Sequence, residues 1–466
     1  MKRLGSRTAW RLPVGLVITA LIAGACGSSA SPTASAAGTP LSTAGQSAVP
    51  TASQAPSGLS TVSSFPPLTE PTSPVTLVME GGDWTKMDSV IGPFEKLHPN
   101  IKVVYQPVAI GDMTTKIQSS VGQGQTTPDI YWVDQPRVPG YAARGLLLDL
   151  TGRFPDVTTQ VFGDALQQSS SNGHLYALPF AESTGVVVYN KDLLTKAGVT
   201  LPTSDPANRW TWEQVAAAAA KAQGAGAKYG ILWDQVEMYY QLSVLPESLG
   251  STGLTGADNL TPDITNSAWT TAMTWFQNLF TSKVSPVGVS DADTYDLFSS
   301  GQSAFLVTGP WVPALVSNHK INMGLMAEPY FAAGKPVTPS GSWAIGINPH
   351  TPNLDAALLF LQYTTLDPAG NLALDLAEGD ASSLNSNIAL LYQTPPYDWW
   401  AETPQIPTLM SYELKNTAVT RPRSIGYPEF EAVMTQAFTD IRTGSDVATV
   451  LQRATTQLQA AFAALQ

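Results

Sequence analysis

The 466-residue chain has a single cysteine, Cys26, so no intrachain disulfide can hold it together. Its four histidines (His98, His174, His319 and His350) are scattered and make no metal-ligand spacing. Charged residues are only 13% of the chain, and bases are the scarcer kind, 24 against 36 acids, for a net charge of −12. Four of those bases lie in the first 25 residues, which carry no acid; without them the balance is 20 against 36, net −16. Phosphate backbones need a basic face, so nucleic acid is excluded as a partner. Gly-x-Ser-x-Gly, His-Glu-x-x-His and phosphate-binding glycine loops are all missing, and no cofactor is implied.

What the N-terminus has is an order. Lys2, Arg3, Arg7 and Arg11 lead into the apolar run Leu12 to Ile22, too short to span a bilayer, and then into Ala23-Gly24-Ala25. That tripartite pattern reads as a secretory signal over residues 1–25. Cys26, directly after the small residues, resembles a bacterial lipobox, in which the thiol is lipidated; Ala23 stands where that pattern prefers leucine. From Gly27 to Pro74 the chain is almost wholly Ser, Thr, Ala, Pro and Gly, with Glu70 its only charge and Phe65 its only aromatic. Too little apolar surface is present there to offset ordering entropy, so residues 26–74 are expected to be a disordered tether.

Beyond the tether, strand and helix patterns alternate. Val75–Met79 reads as a buried strand, and Met87, Val90, Ile91, Phe94 and Leu97 lie at helical spacing before Pro99. Ile101, Val103 and Tyr105 alternate as a second strand, and Pro128–Val133 gives a third. Thr211-Trp-Glu-Gln214 is a capping box opening an alanine-rich helix. Two later stripes, on Trp269/Met273/Phe276/Phe280 and Phe430/Met434/Ile441, read as helix core. The alternation implies open, mainly parallel α/β sheets, and a folded part this long should split into two lobes.

Three ordered segments resemble the carbohydrate-binding receptors of bacterial ABC importers, the family that includes the maltose-binding protein. The first is Thr127–Asp134 with Tyr141–Leu150; the second is Tyr176–Glu182 with Val187–Leu194 and Trp210–Glu213; the third is Phe298–Phe305 with Thr308–Trp311 and Gly341–Ile345. The resemblance implies a bilobal periplasmic-binding-protein fold (type II), with ligand in a cleft that closes by hinge bending. Residues 75–182 plus about 343–395 would form the N-terminal lobe, and 183–342 plus about 396–466 the C-terminal lobe. Crossings are expected near Phe180–Gly185, Ser340–Ala344 and Leu391–Trp400. It also implies a sugar ligand, an importer permease with its ATPase as partners, a membrane contact through the lipid anchor, and a monomeric, non-catalytic receptor.

A sugar presents C–H faces and hydroxyls, so its site needs planar aromatics and charged or amide groups. Trp311, after the strand Ser303–Thr308 and the turn Gly309-Pro310, is placed where family members stack sugar, with Pro310 suited to a first helical turn. Glu182 occupies the hinge position at which the maltose-binding protein of that family uses a glutamate on ligand hydroxyls. Asp134 ends a strand and is the expected acceptor of the N-terminal lobe, with Arg137 nearby. Asp83 and Trp84 close the first strand, Trp233 follows Tyr229–Leu232, and Trp343 lies at a crossing. Arg421 and Tyr427 sit where relatives carry a C-terminal ligand loop. Acceptors and stacking faces with few cations suit neutral, hydroxyl-rich rings. The competing readings are a same-fold receptor for a polyamine, a phosphodiester or a metal, and a secreted carbohydrate-active enzyme.

Overall fold

A computed structural model describes residues 67–465; the signal segment, Cys26 and the tether up to residue 66 lie outside the described residues. Among the described residues no helix is long and apolar enough to cross a membrane.

Among the described residues nine strands make the two larger sheets. The first combines β1 (Val75–Gly82), β2 (Ile101–Val108), β3 (Ile130–Asp134), β4 (Ala177–Pro179) and, from much later in the chain, β9 (Trp343–Ile347), in the order β2-β1-β3-β9-β4. The second combines β5 (Val186–Asn190), β6 (Tyr229–Trp233), β7 (Ser303–Thr308) and β8 (Met323–Ala327), in the order β8-β5-β7-β6. Mainly parallel sheets were expected, and both are mixed. β1 runs parallel to β2 and β3, and β7 to β6, but β9 is antiparallel to both neighbours, and β5 to β7 and β8. The physical reason is the crossings: β5 and β9 are the first strands after a change of sheet, and each enters its new sheet from the hinge side.

Each sheet is sandwiched by the helices whose stripes the sequence displays. Val90 and Phe94 of helix Asp88–Leu97 are buried against Phe360 and Tyr363 of helix Leu354–Thr365 on the first sheet. On the second, helices Trp212–Gly224, Ser267–Thr281, Tyr427–Arg442 and Val447–Ala463 bury Trp212, Trp269, Phe276, Phe430 and Leu458 in one core. The capping box forms as read, with Thr211 Oγ1 accepting from Gln214 N and Gln214 Oε1 accepting from Thr211 N.

Between the sheets the chain passes at residues 182–185, 340–342 and 379–387, and these segments lie side by side. Glu182 N donates to Ala381 O at 2.8 Å, and bridges pair Ala181 with Ser382 and Thr184 with Ser340. The crossing expected near Leu391–Trp400 is therefore displaced. Ile388, Leu391, Tyr392, Tyr397 and Trp400 already pack on Val186, Val188 and Leu325 of the second sheet, whereas Leu384 packs with the first. The apolar pattern there announces burial but not against which sheet. The tether reading also extends too far. Leu68 packs on the N-terminal lobe, Asn100 Nδ2 donates to Pro71 O at 2.8 Å, and His98 pairs with Glu70.

Candidate functional site

A cavity of about 280 Å³ opens where the two sheets and the three crossings meet, at the small end of the range for ligand sites. The N-terminal lobe supplies Trp84 just beyond β1, Ile110 just beyond β2, Asp134 at the end of β3 and Trp343 at the start of β9. The C-terminal lobe supplies Asp234, Gln235, Met238 and Tyr240 after β6, Trp311 and Leu315 after β7, and Arg421 after the short strand Ala418–Thr420. Crossing residues Ser183, Gly341, Ser342, Gly379 and Asp380, with Glu378 at the end of the preceding helix, line the back. Carboxyl ends of parallel strands leave backbone ends and loops facing the crevice, which is why ligands bind there in open α/β sheets.

The three cavity tryptophans share a local device. Each follows a glycine by two residues: Gly82-Asp83-Trp84, Gly309-Pro310-Trp311 and Gly341-Ser342-Trp343. A Cβ on Gly82 would stand 2.6 Å from the Trp84 ring, and one on Gly309 would stand 2.3 Å from the Trp311 ring. Only a glycine lets these indoles fold back over their own backbone. At Gly341 the requirement is conformational, since φ is +100° and a Cβ would meet Gln168 Oε1 at 2.4 Å. Of the chain's twelve tryptophans no other has this spacing, and the signal was present in the sequence. Trp311 is not held by a proline at 310 in a first turn, as expected; the helix is the short Val312–Leu315, with Pro313 inside it.

Polar groups fix these rings. Trp311 Nε1 donates to Asp234 Oδ2 at 2.9 Å and to Tyr295 Oη at 2.6 Å, and Thr308 Oγ1 donates to the same carboxylate oxygen at 3.2 Å. Burial pushes the Asp234 carboxyl up to about 6, against the pull of its hydrogen bonds with Tyr295, Trp311 and Thr308. Trp84 Nε1 donates to Glu378 Oε1 at 3.3 Å, and the Trp84 and Trp343 rings lie 6.0 Å apart. Asp134 and Arg421 form a two-pronged pair across the lobes, Nη1 to Oδ2 at 2.6 Å and Nη2 to Oδ1 at 2.5 Å, with the guanidinium over the Tyr240 ring.

Five of the sequence-selected residues thus meet in one cavity: Trp84, Asp134, Trp311, Trp343 and Arg421. The other five stand elsewhere. Trp233 is core, stacked on Trp212 with ring centres 5.5 Å apart and edge-on to Phe276. Strand alternation explains the miss, because the residue after it, Asp234, is the one turned to the cavity. Arg137 is buried against Glu431 at 2.7 Å, and Tyr427 is fully buried in the C-terminal core at the start of its helix. Asp83 is exposed outside the cavity lining. Glu182 is fully buried, its Oε1 accepting from Ser183 N at 2.9 Å and Gly341 N at 2.7 Å. It ties two crossings together rather than facing the cavity. Burial pushes its carboxyl up to about 8. Asp234, Tyr240, Glu378 and Asp380 were missed; none lies in a segment that carries the resemblance.

The family model for bacterial extracellular solute-binding proteins matches residues 81–370. The chain belongs to that family. Its members are receptors, and the chain is a receptor rather than an enzyme. It is 24% identical over 313 residues to the maltodextrin-binding protein of Bacillus subtilis, covering 62% of this chain and 70% of that one. It is 26% identical to the galactooligosaccharide-binding protein of the same organism, over 53% of this chain and 57% of the relative. Among solved structures, the ABC substrate-binding protein of Listeria monocytogenes in complex with cycloalternan superposes with a TM-score of 0.72 at 22% identity, covering 83% of this chain and 99% of that one. That likeness gives the fold, the bilobal architecture of ABC substrate-binding proteins.

Proposed function

We propose that this chain is the extracytoplasmic, lipid-anchored receptor that binds a sugar between its lobes and delivers it to an ABC importer. One observation carries the reading: three glycine-hinged tryptophans and several carboxylates, drawn from both lobes and from the third crossing, face a single cavity. Indole faces suit the C–H faces of a sugar ring, and carboxylates make charge-assisted hydrogen bonds to its hydroxyls. The names of the two Bacillus relatives support the same solute class. Because the lining comes from both lobes, ligand favours the closed arrangement of the hinge. Cys26 and the polar run behind it supply the anchor.

A thermal-shift screen against mono- and oligosaccharides tests the ligand class. A cognate sugar at about 100 times its dissociation constant stabilises by roughly 2.7 kcal/mol, a shift of a few degrees. Shifts with phosphodiesters or metals, and with no saccharide, remove the sugar assignment. For the anchor, Cys26→Ala should move the protein from the membrane fraction to the medium or block its processing. Wild-type membrane retention by that variant would place the anchor elsewhere.

A further inference from the structure

We propose, resting on the sugar reading, that the saccharide bound here carries a protonated nitrogen seated against Glu378 and Asp380. Four carboxylates line the cavity (Asp134, Asp234, Glu378 and Asp380), and Arg421 is the only cation lining it among the described residues. Both Nη atoms of Arg421 are committed to Asp134, so that pair cancels and three carboxylates remain without a counterion.

Their hydrogen-bond partners are all neutral. Glu378 accepts from Trp84 Nε1 at 3.3 Å and from Asp380 N at 2.8 Å. Asp380 accepts from Ala381 N at 2.8 Å and from the Ser342 hydroxyl. Gly379 between them takes a left-handed turn, φ +106°, at the end of helix Pro368–Glu378, and both carboxylates line the same cavity. Both side chains are buried, and burial raises both carboxyls, so without ligand they tend to hold protons, which a ligand cation seated there would displace.

A neutral sugar is well served by one carboxylate per hydroxyl pair. A buried group of three tends to take up protons until a ligand brings positive charge of its own. A divalent ion is not the fit, because among the described residues no group of three or more His, Cys, Asp or Glu could hold one. An ammonium is, because its N–H donors match the free lone pairs and the faces of Trp84 and Trp343 beside it attract cations. The ligand class is therefore an amino sugar, or an oligosaccharide with one basic residue.

Isothermal titration at pH 7.5 tests this with matched probes: glucosamine and its β-1,4-linked dimer, the N-acetylated forms, and glucose with cellobiose. The amines should bind at least about 10-fold tighter than both neutral series, which is about 1.4 kcal/mol. In Glu378→Gln and in Asp380→Asn, each first shown folded by circular dichroism, that ratio should fall below about threefold. Neutral sugars binding as tightly as the amines would overturn the inference and leave the sugar receptor standing. An unchanged ratio in both folded variants would overturn the placement of the nitrogen. Binding of spermidine with none of the saccharides would overturn the sugar reading itself, and this inference with it.

Discussion

Tryptophan is used in two opposite ways in this molecule. In the C-terminal core, Trp212 and Trp233 stack on each other, Trp269 stacks on Phe438, and the indole N–H of all three is buried without a hydrogen-bond partner. At the cavity, Trp84 and Trp311 spend that N–H on a carboxylate and leave a ring face toward the space between the lobes. In the core the rings bury area, and that gain exceeds the cost of an orphaned donor. At the cavity the rings give up burial and are held in place by hydrogen bonds. The carboxylate that holds the ring is then itself a binding group. Stability and recognition use the same side chain, separated by what its polar edge touches.

Truncation should break the two uses apart. Trp233→Ala removes a fully packed ring and should cost about 3–5 kcal/mol of ligand-free stability in chemical denaturation. Trp311→Ala should cost less than half of that while abolishing the saccharide-dependent thermal shift. Equal ligand-free losses for the two variants would make Trp311 a core residue.

Carboxylates extend the comparison, since Asp134 is paired and Glu182 is not. A carboxyl whose folded pKa lies above its unfolded one binds more protons folded than unfolded between the two values. With Glu182 raised from 4.5 to about 8, stability should fall as pH rises through that window, by up to about 1.4 kcal/mol per unit, and level off above it. Glu182→Gln should flatten the part of the profile that this residue causes; Glu328, raised to about 8 in the same way, leaves a residual slope. An unaltered pH profile in the variant would show that Glu182 keeps an ordinary carboxyl.

The smallest effects test the glycine device. Gly309→Ala places a methyl where the Trp311 ring lies and should weaken saccharide binding several-fold with about 1 kcal/mol lost in stability. Asp83→Ala, on an exposed side chain beside the Trp84 turn, should change stability by less than about 0.5 kcal/mol and leave the ligand shift intact. Binding lost on Asp83→Ala would draw the cavity wider than its lining residues.

Much of the fold was legible. Alternation located β2, short apolar runs located β1 and β3, and 3.6-residue spacing located the core helices, because burial writes itself into local spacing. Strand-end reasoning reached Trp84, Asp134 and Trp311 for the same local reason. It misplaced Trp233 by one residue, and a one-residue step along a strand exchanges core for cavity. Arg137 and Arg421 show the sharper limit. Both are arginines next to prolines, and both are buried in ion pairs with carboxylates nearly 300 positions away, yet only Arg421 reaches the cavity.

By itself, then, the sequence determined the acidic character of the chain, a plain sum over its residues, and the α/β class, the capped helices and the glycine-tryptophan spacing, which neighbours within a few residues carry. Only the tertiary structure decided which strands entered antiparallel, where the third crossing falls, and that Glu378 and Asp380 stand beside Trp84, nearly 300 residues earlier. Those outcomes depend on which surfaces meet when two cores pack. A pattern of apolar spacing says that a face is buried, and it is silent about what the face is buried against.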